Sequence, residues 1–361
     1  MNTPTPPMTG SARVLSGGAG CTVQDRGRYG WRHVGVPVSG CLDQPLADAA
    51  NALLDNPPEA AVLELRGLPL TLQAGEAALD LAVAGAATLR RRAAPEASWQ
   101  AALPWQGLRL AAQEQLHVQP APGRCVYLAL GGGVACTPVL GSRATYVRAG
   151  LGGLHGRMLQ PQDSLAAARA APGPLWRAPQ PWVSAAPEAG VLRLRVLHGP
   201  QHQDFSPEAW SQFLTQTWQA SAAQDRMGLR LQGQALALRA GHGVGMWSDA
   251  VAPGAVQVPA DGMPIVLLAD AQTVGGYPKI ASVIQADLPA LAQAPEGTAL
   301  RFEACTPEQA RAAAQAQAAR WQAWAAQRQA CAVPRDVDLA ALYQHSLVSG
   351  MINALNPSAT P

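Results

Sequence analysis

LELRGLPLTLQAG at residues 63–75 and LRLQGQALALRAG at residues 229–241 agree at seven of thirteen positions. The shared residues are the leucines on either side of a charged residue, the central glycine, two later leucines and the closing Ala-Gly. Apolar and polar residues alternate in both copies, and again in Leu192-Arg193-Leu194-Arg195-Val196. A period of two marks half-buried antiparallel strands, with one face in a core and the other in water. A weaker pair follows in the same order: CVYLALGGGVACT at 125–137 and PIVLLADAQTVGG at 264–276. Together these pieces predict two related β-domains in tandem, residues 11–175 and 190–305. Residues 166–190 carry five prolines without alternation and read as a linker or irregular crossover.

Helical signals are few. Residues 43–54 have helical apolar spacing, Asp43 as N-cap and Pro57-Pro58 as a stop. Thr306-Pro307-Glu308-Gln309 has the form of a capping box and opens a C-terminal helical extension, residues 306–361. Its stripe of Ala310, Ala313, Ala314, Ala318, Trp321, Trp324 and Ala325, interrupted by Gln317, predicts a helix packed on the domain surface. Residues 336–355 read as one further short helix.

A length of 361 residues suits two domains. With 48% hydrophobic and 14% charged residues the chain is not disordered. A net charge of +2 offers no footprint for nucleic acid or an anionic membrane. The 35 glycines and 31 prolines favour short elements joined by turns. Alanine, about a fifth of the chain, weakens any helix assignment based on propensity alone. Six scattered cysteines without a C-x-x-C pair predict buried thiols in a reducing compartment. The start, MNTPTPPMTGSAR, lacks the apolar core of a secretory signal, so a soluble cytoplasmic protein is expected. The charge-free run at 125–142 holds Gly131-Gly132-Gly133 and Pro138, and reads as a buried strand and a turn, not a membrane span.

No P-loop, G-x-S-x-G, H-E-x-x-H or G-x-G-x-x-G motif is present. His198 and His202 are four apart, but Gly199-Pro200 between them rules out metal ligation from one helix face. Polar residues and glycines concentrate in three segments, 22–43, 140–163 and 247–287. In the third, an apolar run ends in Asp270, Gln272, Thr273, Gly275-Gly276 and Tyr277-Pro278-Lys279. Lys279 is the only lysine in the chain. Glycines let a backbone approach a ligand and present N–H groups to an anion. An ammonium beside such donors suits a phosphate or oxyanion, with Asp270 or Asp249 as metal carboxylate or base. A tight hairpin with a solvated lysine is the competing reading. Arg26, Arg28, Arg143, Arg148, Arg226 and Arg230 have the fork that clamps a carboxylate or phosphate. Arg143 and Arg226 stand out because their neighbours are polar and glycine-rich.

The segments TVQDRGRYGWRHVGVPVSGCLD, LLDNPPEAAVLEL, LGSRATYVRAGLGG, HGPQHQDF, QDRMGLRLQG and GAVQVPADGMPIVLLADAQTVGGYPKIASVIQADLPALAQ resemble the carboxyltransferase A/B family across residues 11–305. That family includes allophanate hydrolase subunit 2, the C-type component of prokaryotic 5-oxoprolinase and the antagonist of a sporulation kinase inhibitor. The resemblance implies a mainly β fold of two tandem cyclophilin-like β-barrels with a few short helices and the C-terminal helix. It implies a B-type partner subunit of the same barrel fold, with the active site near the junction. It also implies site roles for Lys279, Tyr277 and Asp249, which with Asp270 from the residue chemistry above are the catalytic candidates. Arg143, Arg226 and Gln257 are implied at the substrate cleft, and with Gln272, Thr273, Gly275 and Gly276 from the residue chemistry above they are the substrate- or nucleotide-binding candidates; the metal ligands are left open.

Three activities follow from that resemblance. The first is the C-type subunit of an ATP-dependent 5-oxoprolinase, using ATP and Mg²⁺ on a small-molecule substrate beside a separate lactam-hydrolase subunit. The second is half of a biotin-dependent carboxyltransferase of the urea carboxylase type. Because the sole lysine lies in GYPK, no covalent biotin is expected on this chain. The third is a non-enzymatic regulator that binds a kinase-inhibitor-like partner. A chain of this length without fused carboxylase or amidase domains fits the first best.

Overall fold

The computed structural model describes residues 10–184, 187–239 and 246–331. Twelve strands in the first half form two sheets. One runs, in spatial order, Val134–Ala135, Ser164–Ala167, Ser11–Gly17, Leu70–Ala74, Gln115–Pro120, Ala87–Arg92 and Gln100–Ala102. The other runs Cys21–Gln24, Val62–Arg66, Cys125–Leu130, Leu79–Ala84 and Gly107–Leu110. Leu63, Leu65, Leu72, Leu81, Leu116 and Leu128 belong to the core that the two sheets share. In the second half seven strands close into a barrel: Val191–His198, Lys279–Val283, Ala255–Gln257, Ile265–Leu267, Gly228–Gln232, Trp218–Gln224 and Ala299–Ala304. The fold is mainly β, as the sequence predicts.

The repeat is real in its first limb. Leu63 faces Leu128 in the first half, and Leu229 faces Val266 in the second, so both repeated pairs are strand neighbours. The copies part at the central glycine. Gly67, at φ +68°, turns the chain back as Leu70–Ala74 in the opposite sheet. The equivalent Gly233 instead packs under Trp218, where an added Cβ would lie 2.7 Å from the ring. Leu236 is buried without joining a strand, and residues 240–241 lie outside the described residues. One strand pair departs from the antiparallel expectation: Val191–His198 runs parallel to Ala299–Ala304.

Four α-helices decorate the sheets among the described residues: α1 (Gln44–Ala52), α2 (Pro207–Thr215), α3 (Leu288–Ala292) and α4 (Pro307–Ala326). Asp43 caps α1 through Leu46 N–H, and the Thr306/Gln309 capping box of α4 is formed. A second, larger core joins α1, Ala82, Tyr127 and Ala129 to the barrel interior and Trp324. The sheet containing Val62–Arg66 is therefore covered on both faces. This overturns the expectation that Glu64 faces water: it is 1% exposed.

On α4, Ala313 and Trp324 are buried, and the Trp324 indole N–H donates to Gln180 O at 2.8 Å. Gln317, the apparent interruption, donates to Ala286 O at 2.8 Å, so a polar residue sits on the packed face at no cost in unmade hydrogen bonds. Ala314 and Ala318 are exposed, which makes the packed stripe narrower than expected. The proline-rich crossover is tied down: Leu175 and Trp182 enter the core, and Trp176–Arg177 pairs with Gln329–Ala330. The helix expected at 336–355 lies outside the described residues. All six cysteines are free. No described helix is long and apolar enough to cross a membrane.

Candidate functional site

Lys279 opens the barrel strand Lys279–Val283, where its register partner is Gln257. Beside them the two-residue strands Asp249–Ala250 and Val274–Gly275 pair, with Asp249 opposite Gly275. The ammonium of Lys279 is 2% exposed. It donates to Asp249 Oδ2 at 2.6 Å and to Ala250 O at 3.2 Å. Gln201 Nε2 donates to the same Asp249 oxygen at 3.2 Å, while Gln201 Oε1 accepts the Lys279 backbone N–H at 3.3 Å. Gln272 Nε2 donates to Gln257 Oε1 at 3.3 Å. Gln257 Nε2 reaches Tyr277 O at 3.5 Å. A Cβ on Gly275 would lie 2.6 Å from Gln257 Nε2, so a larger residue there would displace the Gln257 amide.

The lysine's hydrogen bond, followed by the Ala250 N–H and Gln201, holds the Asp249 carboxyl below its ordinary range. The two charges differ in solvation, because Asp249 keeps 47% of its side chain exposed. This is a charged pair at a rim, with its cation inside. It is neither the solvated lysine of the hairpin reading nor a bare cation awaiting an anion. Thr273 is nearly buried, Gly275 and Gly276 are half-buried, and Tyr277 is 44% exposed on the same edge.

The sequence-predicted residues thus form one group of eight, Asp249, Gln257, Gln272, Thr273, Gly275, Gly276, Tyr277 and Lys279. Gln201 belongs with them. It lies in HGPQHQDF, and its proximity rests on backbone pairing of Gly199 N–H with Ile280 O, which sequence alone does not reveal. The neighbouring His198 and His202 rings stack at 4.4 Å, an arrangement of loop geometry and not of a helix face.

Asp270 and Arg226 stand apart from that group. Arg226 Nε and Nη2 donate to the two Asp270 oxygens at 2.9 and 3.1 Å, Nη2 donates to Gly40 O at 2.6 Å, and Nη1 pairs with Glu64. The other Glu64 oxygen accepts the Tyr127 hydroxyl at 2.7 Å and Leu42 N–H at 2.9 Å. Burial acts to lower the Arg226 pKa, but the Glu64 and Asp270 carboxylates outweigh it and keep the guanidinium charged. Asp270, read from sequence as a metal carboxylate or base, and Arg226, read as a substrate clamp, are thus bound to each other within the second half, and Arg226 also reaches across to Glu64 and Gly40 of the first. Arg143 braces the first half instead, its Nε donating to Cys136 O at 2.9 Å and its backbone N–H to Asp25 Oδ2 at 2.6 Å. Of the other arginines, Arg28 is wholly buried on Val139 O and Ala144 O, while Arg26 and Arg230 pair with Asp48 and Asp261 near the surface.

The α1 cap carries a pH dependence. Asp43 is fully buried and accepts from Leu46 N–H, Ser184 Oγ and Gln293 Nε2. Burial pushes its pKa from the ordinary 3.8 up to about 6, against the lowering pull of those hydrogen bonds. The folded protein therefore keeps this proton where the unfolded chain has lost it. The resulting stabilisation is complete below about pH 4 and is lost as pH rises through about 6, a span worth about 3 kcal/mol. Asp43→Asn should remove this decline, read as urea-unfolding free energies of both proteins across that span. A wild-type-minus-variant difference that stays constant with pH would contradict it.

Comparison with known proteins gives the family. The chain is 37% identical over 311 residues to the C-type 5-oxoprolinase subunit of Escherichia coli (strain K12), covering 84% of this chain and 94% of that one. It is 35% identical over 290 residues to the C-type 5-oxoprolinase subunit of Haemophilus influenzae, covering 80% and 89%. The crystal structure of the K. lactis urea amidolyase matches with a TM-score of 0.77 at 24% identity over 87% of this chain. This chain spans only 20% of that larger enzyme, so the likeness speaks to fold alone. The carboxyltransferase domain, subdomain A and B, matches residues 34–304 and takes in every residue of the Lys279 group and the Arg226 network. The chain belongs to the carboxyltransferase A and B subdomain family.

Proposed function

We propose that this chain is the C-type subunit of an ATP-dependent 5-oxoprolinase, which works with a B-type subunit to activate 5-oxoproline for hydrolysis to glutamate. The observation that carries this reading is 37% identity to a C-type 5-oxoprolinase subunit over 94% of its length. A lactam is a poor electrophile. Transfer of the ATP γ-phosphoryl group to the lactam oxygen releases ADP and turns that oxygen into a leaving group. Water then adds to the carbon, the ring C–N bond breaks as the nitrogen takes a proton, and a second water hydrolyses the acyl phosphate so formed, releasing phosphate and glutamate. A separate lactam-hydrolase subunit serves the ring opening.

In that scheme the Lys279 group faces the phosphoryl being transferred. A preorganised cation is worth most where water is excluded, and Asp249 fixes the ammonium before substrate arrives. The Gly275 and Gly276 backbone gives close approach without side-chain obstruction. A buried lysine at a barrel strand start also supports the reading that this chain carries no covalent biotin. Mg²⁺ fits less well. Asp249 and Asp270 are each held by a cation, and no three His, Cys, Asp or Glu side chains gather to hold a metal among the described residues. Among the described residues the groups present do not make a complete Mg²⁺ site.

The test is reconstitution with the B-type and ring-opening subunits, following ADP and glutamate together. One ADP per glutamate, dependent on 5-oxoproline, is expected. An assembled complex that releases no ADP in response to 5-oxoproline would refute the proposal.

A further inference from the structure

A cavity of about 330 Å³ opens between the two halves of the chain, with the Arg226–Asp270 pair in its wall. Two other arginines line it, Arg66 at the end of the strand Val62–Arg66 and Arg148 in the turn Val147–Ala149. Among the described residues neither has a carboxylate partner, and Arg66 Nη1 is buried with no hydrogen bond. Two of the acidic groups nearby are paired with a cation, and the third is tied by one oxygen to its own turn. Asp270 and Glu64 are held by Arg226, and Asp225 Oδ1 accepts the Met227 and Gly228 N–H groups of its own turn. Arg66 is half-buried in the cavity wall, and its planar guanidinium fork matches a carboxylate.

The rest of the lining narrows the ligand. Val147, Met158 and Met227 give apolar walls. Thr22, whose Oγ1 accepts Gln24 Nε2 at 2.9 Å, adds a polar group to the wall. The volume sits at the lower end of ligand pockets, about 300–1,000 Å³. We infer that this cavity binds a small cyclic amide acid, with Arg66 gripping the carboxylate, Arg148 closing over it and the apolar walls holding the ring. The inference rests on the proposed 5-oxoprolinase reading and gives its substrate a carboxylate grip at this cavity.

The experiment compares Arg66→Gln and Arg148→Gln with wild type in the reconstituted complex, with melting temperatures checked for all three. Loss of a charge-assisted hydrogen bond should raise the KM for 5-oxoproline about 10- to 100-fold in Arg66→Gln, with kcat changed far less. Arg148 is exposed, so its variant keeps the fold and should show a smaller rise in the same direction. The lactam 2-pyrrolidone, which lacks the carboxylate, should compete poorly in wild type, and that discrimination should vanish in Arg66→Gln. Turnover with wild-type KM in both variants overturns the inference and leaves the 5-oxoprolinase reading standing. If the complex has no turnover, that reading fails, and ligand-observed NMR with 5-oxoproline and cyclopentanecarboxylate decides the site. Binding that Arg66→Gln abolishes supports a carboxylate site; no binding, or binding that the variant keeps, overturns it.

Discussion

Arg226→Ala is expected to cost about 3–5 kcal/mol of folding stability, a large share of the total for a protein of this kind. The reason is what stays behind. Glu64 is 1% exposed and Asp270 5%, and both lose their cation when the guanidinium goes. Gly40 O loses its donor as well. Buried charges left unpaired are far more costly than the pair is stabilising. Arg226→Lys should recover only part of the loss, because one ammonium cannot span Asp270, Glu64 and Gly40 O as a planar fork does. Arg226→Met combined with Glu64→Gln and Asp270→Asn should recover more, since no orphaned charge remains. Urea unfolding decides the matter. A loss below about 1 kcal/mol in Arg226→Ala would rank the network with ordinary surface pairs.

Lys279→Met should behave in the opposite way, with large loss of activity and little loss of stability. Here the buried member of the pair is the one removed, and its partner Asp249 already faces solvent. Methionine fills much of the same volume without a charge to desolvate, so the unfolding free energy should stay within about 1 kcal/mol of wild type. In the reconstituted complex, loss of a preorganised donor at a developing charge should lower kcat by about 10²–10³-fold. Full turnover in this variant would reduce Lys279 to a strand residue with a salt bridge. Because it is the sole lysine, an amine-selective reagent gives a second readout: slow modification is expected, since the ammonium is 2% exposed.

Signals that act within a few residues were legible in the sequence. The Asp43 cap, the Thr306/Gln309 capping box and the alternation of Leu192 to Val196 all appear as read. Most of the Lys279 group was legible for the same reason. Residues 247–287 are nearly continuous, and one strand pairing brings Gln257 to Lys279. Gln201 was missed because its place depends on a contact with a residue 78 positions away.

The roles of Arg226, Asp270 and Glu64 lay beyond local reading. Alternation identifies a face that points away from one core but cannot show that a second body covers that face. Glu64 in LELR looked like a water-facing strand residue, yet α1 and the barrel bury it against an arginine 162 positions on. Arg66, two residues later on the same strand, kept no such partner and opened into the cavity. The sequence by itself determined the strands, the caps, the duplicated pairing and the family. Which charges pair and which stay free was decided by tertiary packing, because an ion's partner and its dielectric surroundings belong to the space between distant segments.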